Sequence, residues 1–422
     1  MDSEIHRAIH AVWSIESARV IAALARMVRD VGLAEELAQD ALVAALEQWP
    51  TEGIPDNPAA WLTATAKHRA LNTLRRGKML ERKHGELGYE LEAQAEPQKL
   101  IEQLEAGLDD DVGDDLLRLI FTACHPVLST EARVALTLRL LGGLTTDEIA
   151  RAFLVPEPTI AQRIVRAKRA LAEKQVPYEV PRGGELGSRL ASVLEVVYLI
   201  FNEGYSATAG DDFMRPALCE EALRLGRVLV GLAPQEPEVH GLLALMELNA
   251  SRAAARTNAD GDAVLLLNQD RGRWDQMAIR RGLAALERAE RLGQAAGPYV
   301  LQAGITASHA RAPTAADTDW PRIAELYAQL GAILKSPVVE LNRAVAVSMA
   351  QGPAAGLAIA DALLHEPALL RYHLLPAARA EFLEKLGRFD EAKTEFERAA
   401  LLTQNARQRE QLQLRARNCG KA

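Results

Sequence analysis

Apolar residues in this chain recur at three- and four-residue intervals almost from end to end, a spacing that suits helices and little else. The stretch "AEELAQDALVAALEQW" shows the pattern. Leu37, Ala41 and Ala45 fall on one stripe and Leu42, Leu46 and Trp49 on the adjoining one, while Glu35, Glu36, Gln39 and Asp40 are expected on the other side. The spacing predicts an all-α protein. At 422 residues the chain exceeds one ordinary core, so two or three domains are expected. Its 49% hydrophobic and 25% charged residues are ordinary for soluble globular protein. No run of about eighteen or more apolar residues occurs, and the start "MDSEIHRAIHAVWS" lacks the parts of a secretory signal. A cytoplasmic location without membrane attachment is therefore expected. Cys124, Cys219 and Cys419 lie far apart and suggest reduced, mostly buried thiols. Cys124 and His125 side by side are too little for a zinc site, so no metal or cofactor is expected.

The formal charge of −8 hides a local pattern. From Trp61 to Lys83 stand seven basic residues (Lys67, Arg69, Arg75, Arg76, Lys78, Arg82, Lys83) against Glu81 alone. From Thr159 to Lys174 there are five (Arg163, Arg166, Lys168, Arg169, Lys174) against Glu173. Between Leu100 and Leu117 the sign reverses, with seven acids and no base. A solvated helix face explains one basic patch, whereas two patches within the first 175 residues favour nucleic acid. Proline, glycine and charge divide the chain as follows. A helical domain covers 1–85, an acidic linker 86–114, a second compact unit 115–175, a Pro/Gly linker 176–185 and a long helical part 186–422. Asn57 and Pro58 form a helix start, asparagine as N-cap and proline in the first turn.

"TTDEIARAFLVPEPTIAQRIVRAKRAL" carries the strongest chemical signal. Thr145 and Glu148 fit a capping box. Val155 to Pro158 makes a turn, and Ile160, Ile164, Ala167 and Leu171 give the following helix a buried stripe. Gln162, Arg163, Arg166 and Arg169 share the opposite face. A short helix pair whose second member bears a polar, basic face is a helix-turn-helix, the second helix entering the major groove. Arginine there can pair with guanine and glutamine with adenine. The helix from Asn57 to Arg76 permits two readings. It is plain core with a basic end, or a platform on which His68 and Asn72 meet an unpaired base while Lys67, Arg69, Arg75 and Arg76 follow phosphates.

Near the C-terminus, "LEKLGRFDEAKTEFERAALL" places Ala392, Phe396 and Ala399 after Gly387 at the offsets of a tetratricopeptide unit. A looser copy holds Gly352, thirty-five residues earlier. Stacked repeats are favoured over an alanine-rich bundle. The segment "ARTNADGDAVLLLNQDRGRWD" holds a turn at Asn258–Gly261 and an apolar run that could be strand or buried helix. It lacks the ligand order of a calcium loop. Arg271, Arg273, Trp274 and Asp275 could be a partner site or a buried salt-bridge network, with a structural role favoured.

"LAEELAQDALVAALEQW", "NPAAWLTATAKHRALNTLRR" and "TLRLLGGLTTDEIARAFLVPEPTIAQRIVRAKRAL" together resemble regions 2 and 4 of the extracytoplasmic-function (ECF) sigma factors of bacterial RNA polymerase. The likeness spans about the first 175 residues. The remainder looks like the tetratricopeptide-like extension of one ECF subgroup. The resemblance implies two small helical sigma domains and a helical-repeat regulatory domain. It further implies that Glu35, Glu36, Gln39 and Asp40 face the β′ clamp helices of core polymerase, region 4 meeting the β flap. Lys67, His68, Arg69, Asn72, Arg75 and Arg76 would bind and open the −10 element. Gln162, Arg163, Arg166 and Arg169 would read the −35 element, with Thr159 capping the recognition helix near a phosphate. His68 and Asn72 depart from the asparagine and aspartate frequent in that family, so the flipped base is not assigned. The acidic linker would thread the RNA-exit path, and the extension would act in cis or through a soluble partner. No phosphate loop, metal quartet or nucleophile–base pair is recognisable, so an enzyme is not expected. The competing reading is a helix-turn-helix activator fused to repeats, binding duplex DNA without polymerase.

Overall fold

The computed structural model describes residues 2–85, 112–153, 155–182, 184–205, 215–258, 264–293, 295–403 and 406–420. Among them every regular element is helical and no strand occurs. They form two compact units, Met1–Leu232 and Ala233–Ala422. No single helix among the described residues is long and apolar enough to cross a membrane.

The first unit begins with α1 (Asp2–Val28), α2 (Val31–Glu52) and α3 (Pro58–Gly85). Asp30 accepts a hydrogen bond from Leu33 N at 2.9 Å and starts α2, and Asn57 accepts one from Ala60 N at 3.0 Å and starts α3. Pro50 stays inside the last turn of α2, which ends at Gly53 in the left-handed region (φ 90°). In α1 the buried residues Ile21, Ala22, Leu24 and Ala25 extend round more than one face, because α1 packs on α2 and α3 and also on α4 (Val112–Ala123). Then come α5 (Thr130–Leu140), α6 (Thr146–Phe153) and α7 (Glu157–Glu173). Most of the expected acidic linker, 86–111, lies outside the described residues. Asp115, the last acid of the run between Leu100 and Leu117, is buried within α4, where it pairs with Arg118 at 2.6 Å and Arg26 at 3.3 Å.

This unit does not stop at residue 185, where the composition break suggested a boundary. It continues through α8 (Gly184–Tyr205) and α9 (Pro216–Leu232). Arg133 of α5 donates to Ser192 Oγ at 2.5 Å and to Glu195 at 3.0 Å, and Ser192 donates to Cys124 O at 2.7 Å. Arg189 reaches Phe121 O at 3.0 Å, and Arg224 of α9 caps Leu141 O. Carbonyls at the C-terminal ends of α4 and α5 are thus satisfied by side chains from α8 and α9. Cys124 itself is buried, 3.3 Å from Thr137 Oγ1, and burial pushes its thiol up to about 11. His125 turns away, its Nδ1 accepting from Val127 N.

The second unit holds α10 (Pro237–Ala250), α11 (Gln276–Arg291), α12 (Pro298–Arg311), α13 (Trp320–Leu334), α14 (Pro337–Gln351), α15 (Pro353–Ala362), α16 (Leu374–Lys385), α17 (Phe389–Leu402) and α18 (Ala406–Asn418). Each packs on its successor in the chain. Gly352 (φ 102°) and Gly387 (φ 74°) turn α14 into α15 and α16 into α17. Ala392, Phe396 and Ala399 are fully buried. Gly356 permits the α14–α15 approach, since a Cβ there would stand 2.5 Å from that of Ser348.

Between α10 and α11 the described part of the apolar run, 264–267, is neither strand nor buried helix. It is a short 3-10 turn (Leu266–Asn268) with Leu265 66% exposed. The turn expected at Asn258–Gly261 lies largely outside the described residues. Arg271 donates to His309 O and, at 2.8 Å, to Ala312 O, and stacks 4.7 Å above Trp274. Its cation therefore meets the negative end of α12, a structural role played without an acid. Asp275 is the N-cap of α11, accepting from Met277 N and Ala278 N.

Candidate nucleic-acid interface

The capping box forms: Thr145 N donates to Glu148 Oε2 at 2.8 Å and Glu148 N to Thr145 Oγ1 at 3.2 Å. Ile149 and Ala150 of α6 and Ile160, Ile164, Ala167 and Leu171 of α7 are buried against one another and α5. That fixes the rotation of α7 and presents Gln162, Arg166 and Arg169 to solvent. Arg169 pairs with Glu173 at 2.6 Å on the same exposed face, an interaction weak in water.

Two residues expected on this face are placed otherwise. Arg163 is half-buried and lines a cavity of about 180 Å³ with Glu131, Phe153, Leu199 and Glu203. It sits at the edge of the buried stripe, and α8 adds a wall that a two-helix reading lacks. Thr159 is not the cap: α7 starts at Glu157 after Pro156, with no side-chain cap, and Thr159 N donates to Pro156 O at 2.9 Å. Pro158 can occupy the first turn because its missing N–H would have no helical partner. Val165, three residues after Gln162, is 63% exposed on the same side of α7, an apolar residue that polarity alone does not single out. A methyl-bearing side chain there suits contact with thymine.

On α3 the buried positions Leu62, Ala66 and Ala70 turn His68, Asn72 and Arg75 outward, and Arg76 is exposed beside them. His68 Nδ1 and Asn72 Nδ2 lie 3.4 Å apart, so both present polar atoms to one spot. Arg69 leans toward α2, 3.4 Å from Asp40. Lys67, two residues before Arg69, falls about 200° round the helix and takes the other flank. Trp61 meets the buried Trp49 edge-on at 5.4 Å, and this anchors α3 on α2.

On α2, Glu36 and Asp40 are exposed and Gln39 half-buried. Val43 and Glu47 continue the exposed stripe at helical spacing, and both escaped the sequence reading. Glu35 departs most from expectation, being only 3% exposed. Its Oε1 accepts from Arg139 Nε at 2.6 Å and from Gln39 Nε2 at 2.7 Å, and Lys168 Nζ lies 2.5 Å from Oε2. Arg139 belongs to α5 and Lys168 to α7, so one carboxylate holds the first three helices against the helix-turn-helix. Its partners stand about a hundred or more residues away, beyond the reach of local periodicity.

Two sequence profiles match this geometry. Sigma-70 region 2 covers residues 16–79, on α1–α3, and Sigma-70 region 4 covers residues 118–171, on α4–α7. The first unit thus carries the two domains that define sigma factors, and such domains imply binding to core RNA polymerase and promoter DNA. A further profile, a family of unknown function called DUF6596, covers residues 189–290. The uncharacterized protein R00370 of Rhizobium meliloti (strain 1021) is 42% identical over 396 residues, 92% of this chain and 90% of its own length, and the chain belongs to the same family. The ECF RNA polymerase sigma factor SigK of Mycobacterium ulcerans (strain Agy99) is 29% identical over 160 residues, 36% of this chain and 78% of that protein.

Proposed function

We propose that the chain is an ECF-type sigma factor that directs core RNA polymerase to promoters and is regulated by its own tetratricopeptide-like extension. The observation that carries this reading is the pairing, in one chain, of two exposed polar faces: His68, Asn72, Arg75 and Arg76 on α3, and Gln162, Arg166 and Arg169 on α7. The first suits unpaired bases and phosphates, the second base edges in a major groove. Lys67 and Arg69 flank the −10 face and add phosphate contacts. Glu36, Gln39 and Asp40 are the residues of α2 for the β′ clamp helices, while region 4 takes the β flap. Glu35 would join the clamp face only after parting from Arg139 and Lys168. The protein works in the cytoplasm, where polymerase is, and has no catalytic role. The helical hairpins at Gly352 and Gly387 support the repeat reading, and such hairpins offer a surface for a soluble partner or for the polymerase itself.

Run-off transcription with purified core polymerase tests this. Promoter-specific initiation is expected only when both are present, with poor binding of free promoter duplex by the chain alone. Tight, specific duplex binding without polymerase would favour an activator and overturn the sigma reading.

A further inference from the structure

One flank of α7 is apolar, and readout of DNA by arginine and glutamine does not use it. The buried stripe Ile160, Ile164, Ala167 and Leu171 fixes the rotation of the helix. At about 100° per residue, Gln162 and Arg169 then stand at the centre of the solvent side, with Arg166 on one flank and Val165 on the other. Val165 is 63% exposed, and it is not alone. Pro158 is exposed and Ala161 half-buried, seven and four residues before it on the same flank. Lys168, three residues after Val165, is held by Glu35, so its ammonium does not cover the strip.

A single exposed valine is ordinary on a protein surface. This one is β-branched and a weak helix former, at a position where lysine, glutamine or glutamate would suit the helix better. It also stands beside the basic face that the fold turns outward, next to Gln162, Arg166 and Arg169. Pro158, Ala161 and Val165 occupy the N-terminal half of α7, the part of a helix-turn-helix that meets base edges. The apolar group that a base edge offers in the major groove is the C5 methyl of thymine. Ala161 and Val165 lie one turn apart, a rise of about 6 Å, which is close to two base-pair steps.

We propose that Val165, backed by Ala161, reads the methyl group of a thymine in the −35 element, beside the bases assigned to Gln162, Arg166 and Arg169. The inference rests on the sigma reading and adds to it the identity of one base in the target. Val165 and Arg166 flank the helix on opposite sides, so the thymine and the guanine that they reach are different bases. Contact with a methyl group carries no charge, so this discrimination persists at salt concentrations that weaken phosphate contacts.

The test uses holoenzyme made from the full chain and core polymerase, on a promoter from which it initiates. Each thymine of the −35 element, on either strand, is replaced in turn by uracil, which lacks only the methyl group and keeps every hydrogen-bonding atom. At one position the uracil promoter should bind about fourfold more weakly, the worth of burying one methyl group. Val165→Ala should bind the thymine promoter more weakly by a similar factor and should no longer tell thymine from uracil there. Alanine favours a helix, so this variant should fold. If the natural chain tolerates uracil at every position, or Val165→Ala keeps the full preference, the proposal is overturned while promoter-specific initiation leaves the sigma reading standing. Absence of initiation with core polymerase would overturn both.

Discussion

Arg163 and Arg166 stand one helical turn apart and yet face different surroundings. Arg166→Ala should weaken −35 discrimination by about 1–3 kcal/mol, the worth of a bidentate arginine–guanine contact. Arg163→Ala should lower the unfolding midpoint and leave sequence preference intact, because Arg163 lies beside Glu131 and Glu203. Competition between promoter variants for holoenzyme, alongside thermal melts, separates the two. If Arg166→Ala lost affinity evenly for all sequences and flattened the salt dependence, Arg166 would be a phosphate contact. His309 allows a pH prediction. Burial, with Arg252 and Arg271 nearby, lowers its imidazole to about 4 from 6.5. Between those values the unfolded chain binds a proton that the fold does not, so the second unit is at full strength above pH 6.5 and weakens as pH falls toward 4. The gap amounts to about 3 kcal/mol. His309→Gln should flatten this slope in melts across that range, and an unchanged slope would refute the assignment.

Helix α8 was legible as a helix and illegible as part of the helix-turn-helix domain. Its apolar stripe is as plain as any other, but the pairing of Arg133 with Ser192 and Glu195 spans some sixty residues that no spacing rule connects. Leu190, Val193, Leu194, Val196, Val197, Ile200 and Phe201 are buried. At about 1.5–3 kcal/mol for each large side chain, removing that burial rivals the whole stability of a small domain. A chain ending at residue 185 should therefore melt early or aggregate, whereas one ending at Leu232 should unfold cooperatively. Size-exclusion chromatography and circular-dichroism melts of the two truncations decide this. Equal stability would mean that α8 and α9 are passengers on the DNA-binding unit.

Taken whole, the chain is two compact units, and the regulatory role proposed for the second can be tested without harming the first. The chain ending at Leu232 should keep its folded sigma domains but transcribe from a target promoter at a rate clearly different from that of the complete protein. Identical transcription with purified polymerase and in cells would remove the regulatory role. Within the first unit the Glu35 cluster sets a second expectation. Lys168→Glu puts a like charge beside a buried carboxylate, which should part the two domains and enlarge the radius of gyration. Small-angle scattering reads this directly, and an unchanged radius would show that other contacts hold the domains together.

Local chemistry sufficed for the helical class, the capping box at Thr145, the start at Asn57, the buried stripe of α7 and the glycine-turned hairpins. Each depends on residues within about two turns of one another, where side-chain direction follows from the backbone. Glu35 shows where that reach ends. By periodicity it sits beside Glu36 on a polar flank, and within α2 the Gln39 hydrogen bond alone tells the two carboxylates apart without burying either. Only the arrival of Arg139 and Lys168 from helices far along the chain buries one and leaves the other in water. A charge can be buried when opposite charges come with it, and those are supplied by tertiary packing.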